Sequence, residues 1–103
     1  MEIIHGNESD FDTLVSNGLV LVDFYADWCG PCRMLASQLE AIKDDRNDAK
    51  IVKINVDEAH ELAKKYGIMS IPALMLFKDG KLVDNKIGYM PKELIQNWID
   101  ENK

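Results

Sequence analysis

Both cysteines of the chain stand in Trp28-Cys29-Gly30-Pro31-Cys32, with two residues between them. At that spacing two thiols can close a disulfide or act in turn on one belonging to another molecule. The run before them, Leu19 to Tyr25, is apolar on both alternating faces and reads as a buried central strand. The stretch after them, Pro31 to Lys43, reads as a helix. The cysteines therefore sit where a strand ends and a helix begins. There the first thiol faces free backbone N–H groups and the positive end of the helix dipole, which favour a thiolate over a thiol. The chemistry on offer is a two-step exchange. A well-exposed outer Cys29 attacks a disulfide to give a mixed intermediate, and Cys32, one turn further in, resolves it.

Other uses of two cysteines are weaker. Zinc needs four ligands, and the only further donors of suitable softness, His5 and His60, lie far apart with no second pair, so no metal is expected. Two ordinary buried thiols are possible, since free cysteine is often simply core, but the strand-to-helix placement weighs against that. A purely structural bridge closing so short a loop would constrain the unfolded chain little.

Asp23 interrupts the apolar run. An unpaired carboxylate there is desolvated and its pKa pushed upward, which suits it to carry protons near neutrality and to deprotonate Cys32 directly or through a water. A structural contact with Lys53 on the neighbouring strand explains the same residue equally well. Ile71-Pro72 removes a ladder donor at the approach to another strand and marks an edge or a sharp turn. If that turn and the one at Gly88 face the cysteines, Trp28, Pro31, Met69, Ile71 and Tyr89 form an apolar rim. Taken singly, each is as readily explained as core.

The elements that must position these residues follow along the chain. The 103 residues, 47% apolar, suffice for one domain with its own core, residues 1–103. A net charge of -6 disfavours nucleic acid or an anionic membrane as partner, and no apolar run approaches the roughly 20 residues of a membrane helix. No secretory leader is recognisable, so the expectation is a soluble, cytoplasmic monomer in a reducing compartment. Glu2 to His5 reads as a first strand. Asn7 or Ser9 then caps a helix with the stripe Phe11, Leu14 and Val15, which Asn17-Gly18 ends. Leu35, Leu39 and Ile42 face the core from the helix after the cysteines, and Asp44 to Asp48 reads as a solvated turn. Ile51 to Val56 is a strand. Asp57 caps the helix after it, and Gly67 closes that helix with Ile68 packing behind. Ala73–Lys78 and Lys81–Ile87 flank Asp79-Gly80, a strong signal for an antiparallel hairpin. Pro91 opens a final helix carrying Leu94, Ile95, Trp98 and Ile99 inward. Strands alternating with helices and ending in a hairpin give an α/β class.

Nearly end to end, the chain resembles the thioredoxin family. Asp23 to Cys32 is similar to the family's active-site segment, Tyr66 to Pro72 to its cis-proline loop, Phe77 to Gly80 to its hairpin, and Gly88 to the glycine beyond its last strand. The resemblance implies a thioredoxin fold, a central mixed five-stranded sheet in the order β1-α1-β2-α2-β3-α3-β4-β5-α4 flanked by four helices. It also implies a dithiol that reduces disulfides in client proteins and is regenerated by a thioredoxin reductase, with no cofactor beyond the cysteine pair. By the same resemblance Pro72 is cis, the Ile71 backbone pairs with an extended client segment, and Gly30-Pro31 ties the chain to reducing members, since oxidants and isomerases tend to carry a histidine there. Cys29, Cys32 and Asp23 are then the catalytic group, with Trp28, Gly30, Pro31, Lys53 and Pro72 in support. Trp28, Ile71, Pro72, Gly88 and Tyr89 meet the client. The chain departs from the commoner pattern at Ser37, where many members have a helix-kinking proline, and at Tyr25, Arg33, Ala73 and Tyr89. A binding module that uses the same fold and rim, with the dithiol incidental, is the rival from another class.

Overall fold

Alternation along the strands decides the layering. In the computed structural model, which describes residues 1–103, Val20, Val22 and Phe24 of β2 (Leu19–Tyr25) point to one side of the sheet, and Leu21 and Asp23 to the other. The first side packs against Phe11 and Val15, at and just after α1 (Phe11–Leu14), and against Ala59 and Leu62, at and just inside α3 (His60–Lys65). The second packs against Leu35, Leu39 and Ile42 of α2 (Gly30–Asp45) and Ile95, Trp98 and Ile99 of α4 (Lys92–Asn102). Each large apolar side chain buried this way contributes about 1.5–3 kcal/mol. Asp23 therefore lies on the side of the sheet covered by the helix that carries Cys32.

The sheet order is β1-β3-β2-β4-β5, with β1 (Ile3–His5), β3 (Ala49–Asn55) and β2 parallel, and β4 (Ala73–Lys78) and β5 (Lys81–Ile87) antiparallel to their neighbours. β2 is central. Its register sets Asp23 opposite Lys53 on one side and Leu74 on the other. This is the five-stranded mixed sheet with four helices that the sequence led us to expect, and the bounds of β2, β4 and β5 coincide with the strands read from it. The hairpin forms because Asp79 and Gly80 both take positive φ, 50° and 87°, as a type I′ turn requires. The Asp79 carboxylate also accepts a hydrogen bond from the Gly18 N–H at 2.7 Å, tying the two strands together at the hairpin end of the β2–β4 ladder.

Several expectations need correction. α1 has one turn and starts after Asp10, because the Asn7 side chain accepts from the N–H groups of Ser9 and Asp10 and folds that stretch into its own turn. Asp57 does not cap α3, whose N-cap is Ala59. Leu94 is exposed, since the core-facing stripe of α4 is Ile95, Trp98 and Ile99. The segment Asp44 to Asp48 is solvated except at Arg46. Its first two residues finish α2, and Arg46 is turned inward onto Asp48, Asp100 and the carbonyl of Gln96. The end of α3 is as expected: Gly67 and Ile68 donate to the carbonyls of Lys64 and Ala63, closing a Schellman motif.

Candidate active site

Cys29 is the N-cap of α2, and Pro31 follows in its first turn, where a missing N–H leaves no bond unmade. The Cys29 Sγ accepts a hydrogen bond from the Cys32 N–H at 3.2 Å. Sulfur thus occupies the place that a serine or aspartate oxygen takes in ordinary caps, next to the free N–H groups of a helix sixteen residues long. The two cysteines are joined as a disulfide with Cα atoms 5.2 Å apart. In this form Cys29 is not well exposed. It is 5% accessible and Cys32 2%, because Tyr25, Val56 and Ile71 close around the pair. The two sulfurs differ less in exposure than in neighbours.

One neighbour is the proline loop. The Ile71-Pro72 bond is cis, Pro72 is buried, and the Ile71 carbonyl oxygen lies 3.8 Å from the Cys29 Sγ. Gly88, at φ 97°, follows β5 and donates its N–H to the Pro72 carbonyl at 2.8 Å. That bond joins the Gly88 turn to the proline loop beside the disulfide. Trp28 is 70% exposed, with its indole N–H donating to the Asp57 carboxylate at 2.9 Å. Met69 and Pro31 are exposed, Ile71 half-buried.

On the far side of the pair, a cavity of about 280 Å³ is lined by Cys32, Arg33, Tyr25, His5 and Lys53 among others. Asp23 is fully buried, and neither carboxylate oxygen has a hydrogen-bond partner within the protein. The Lys53 ammonium is 3.8 Å from Oδ2, within ion-pair range but beyond a hydrogen bond, and stands over the Tyr25 ring at 4.6 Å from its centroid. Burial pushes the Asp23 carboxyl up to about 6, and the Lys53 charge offsets only part of that rise. Of the two accounts of Asp23 left open by the sequence, proton carrier and partner of Lys53, the geometry carries the pairing with Lys53. His5 lines this cavity and His60 begins α3, and no cluster of three metal-binding side chains occurs.

The sequence missed two contacts here. Asp57 receives the Trp28 indole across 29 positions, and Arg33 donates to the Asp27 carbonyl at 2.8 Å. Neither partner lies at a helical or strand spacing that a periodicity would reveal.

A disulfide at the start of a helix beside a cis-proline turn is one arrangement, and comparison with known proteins places it. The thioredoxin family model matches residues 2–101. The chain belongs to the thioredoxin family. It is 46% identical over 103 residues to thioredoxin of Bacillus subtilis (strain 168) and equally to that of Staphylococcus aureus, covering 99% of each chain in both cases. A solved structure, that of a mutant thioredoxin from Halobacterium salinarum NRC-1, superposes with a TM-score of 0.90 at 38% identity, covering 98% of this chain and 90% of that one. As a thioredoxin family member with its Cys-x-x-Cys pair at disulfide distance, the chain is a thiol-disulfide oxidoreductase with disulfide reductase activity. No helix is long and apolar enough to cross a membrane.

Proposed function

We propose that Cys29 is the attacking thiol and Cys32 the resolving thiol in the reduction of disulfides of client proteins. The observation that carries this reading is the Cys32 N–H directed at the Cys29 Sγ, 3.2 Å away at the N-terminus of α2, since it favours negative charge on that sulfur over the other. The Cys29 thiolate attacks a client disulfide, forming a mixed disulfide and releasing one client thiolate. Cys32 then loses its proton, attacks the Cys29 sulfur and releases the second client thiolate, leaving the Cys29–Cys32 disulfide. Asp23 receives that proton through water in the adjoining cavity, and Lys53 keeps the carboxyl within the neutral range. A client segment lies extended along Ile71, pairing with its backbone as an added strand. Pro72 shapes that segment, Gly30 and Pro31 set the first turn of α2, and Trp28, Gly88 and Tyr89 border the docked client. The protein acts as one domain over residues 1–103, as a cytoplasmic monomer that uses no cofactor besides its cysteines, and a thioredoxin reductase returns it to the dithiol.

Reduction of insulin, followed as turbidity with a chemical dithiol as electron source, tests the assignment without a native partner. Cys29→Ser is expected to reduce insulin no faster than the dithiol alone. Cys32→Ser is expected to accumulate mixed disulfides with client proteins in cells, visible on non-reducing gels. Mixed disulfides trapped on Cys29→Ser and absent from Cys32→Ser would reverse the roles.

A further inference from the structure

Of the five methionines, Met75 is 5% exposed within the core and Met34, on the outer face of α2, 57%, while Met69 is 94% exposed. At that exposure the Met69 side chain touches almost nothing of its own protein. It stands two residues before Ile71, whose carbonyl is 3.8 Å from the Cys29 Sγ, in the loop along which a client would lie. A long, flexible and polarizable thioether in that place adapts to clients of different shape. The same exposure opens its sulfur to small oxidants, which the buried disulfide largely escapes.

We propose that Met69 is a peroxide-modification site that controls client docking, an inference that rests on the docking surface described above. Hydrogen peroxide transfers one oxygen atom to the thioether, giving the sulfoxide and water; the sulfur loses two electrons and the peroxide O–O bond takes them up. The sulfoxide places a strong dipole where a client must remove water from an apolar side chain, so protein disulfides bind less well. Small disulfides reach the cysteines without covering Met69 and are reduced as before.

The test exposes the disulfide form to peroxide, removes the peroxide with catalase, and reads each methionine by peptide mass spectrometry and the kinetics with insulin and with a small aromatic disulfide. Met69 is expected to gain oxygen first and Met75 last, the KM for insulin to rise about fivefold with kcat within twofold, and the small disulfide to be reduced at an unchanged rate. In Met69→Leu, whatever its starting KM, the ratio of KM after and before peroxide should be near one. Met69→Gln, which puts a polar group there without oxidation, should raise KM as the sulfoxide does. Prior oxidation of Met34, an unchanged KM in Met69 sulfoxide, or a rise in KM that persists in Met69→Leu would overturn the oxidation proposal while a raised KM in Met69→Gln kept the docking surface. An unchanged KM in Met69→Gln would overturn both.

Discussion

Asp23 and Arg46 are both charged side chains turned away from water, and they are treated in opposite ways. Arg46 donates through Nε and Nη2 to both oxygens of Asp48, at 2.8 and 2.7 Å, and through Nη2 to Asp100 at 2.8 Å. These bonds hold the Asp48 and Asp100 carboxyls below the usual carboxylate range and raise the guanidinium above its own. The result fastens α4 to the segment between α2 and β3. Asp23 has a lysine at 3.8 Å and no hydrogen bond from another group of the protein. A charge whose partners are complete serves to hold elements together. One left incomplete stays ready to take up a proton, and it is found on the side of the sheet covered by the cysteine helix.

The largest effect expected from this contrast is a gain in stability from damaging the active site. In the folded protein the Asp23 carboxyl titrates near 6 against 3.8 when unfolded, so the folded state holds the proton more tightly. The contribution of Asp23 to stability is therefore most favourable below about pH 4, is lost as pH rises from 4 to 6, and above that amounts to a deficit of about 3 kcal/mol. Asp23→Asn removes the titration but leaves a buried amide and deprives Lys53 of its partner. It should stabilise the disulfide form by about 2 kcal/mol at pH 7 and by almost nothing at pH 3.5, measured by urea unfolding. Insulin reduction by the same variant should be slower and should lose its pH dependence around 6. A stability difference independent of pH would mean that Asp23 is a satisfied group like Arg46.

Arg46→Ala is the opposite experiment. Losing a two-pronged ion pair together with its packed stem should cost about 1–2 kcal/mol, with the deficit shrinking in 1 M salt as the wild-type network is screened. The rate of insulin reduction should stay within twofold. Arg46→Lys should recover only part of the stability, because an ammonium cannot match both oxygens of Asp48. A full recovery would show that charge alone, without the planar fork, holds α4 in place.

The two sites also differ in how readily sequence reveals them. Asp23 announces itself, because a carboxylate within Leu19 to Tyr25 breaks a pattern that six apolar or aromatic neighbours make plain. Arg46 hides, since Asp44-Asp45-Arg46-Asn47-Asp48 has the composition of a solvated turn and its distant partner, Asp100, lies in another helix. The strands of the β2–β4–β5 ladder were legible to the residue, because apolar runs and the Asp79-Gly80 turn are local signals. Burial of Cys29 was not. Being an N-cap suggests access, and the closure by Tyr25, Val56 and Ile71 depends on segments that meet only in the folded chain. Leu94 failed for a narrower reason. The stripe on α4 leaves room for Ile95 and not for its neighbour.

Asp57 offers the smallest and finest distinction, being an exposed carboxylate at the active site with a single specific partner, the Trp28 indole. An exposed hydrogen bond exchanges one made to protein for one made to water, so Asp57→Ala should change stability by less than about 1 kcal/mol. What it should change is the orientation of Trp28, which has little else to hold it at 70% exposure. In a ¹H–¹⁵N spectrum of the disulfide form the Trp28 indole N–H should move upfield and exchange faster with solvent, while the buried Trp98, bonded to Asp84, stays as it was. With Trp28 in the client-bordering place proposed for it, the KM for insulin should rise about twofold and kcat should hold, since a loosened side chain must be ordered again on binding. A stability loss as large as that of Arg46→Ala would instead mean that Asp57 fastens the fold, and that its place at the rim has no bearing on the client.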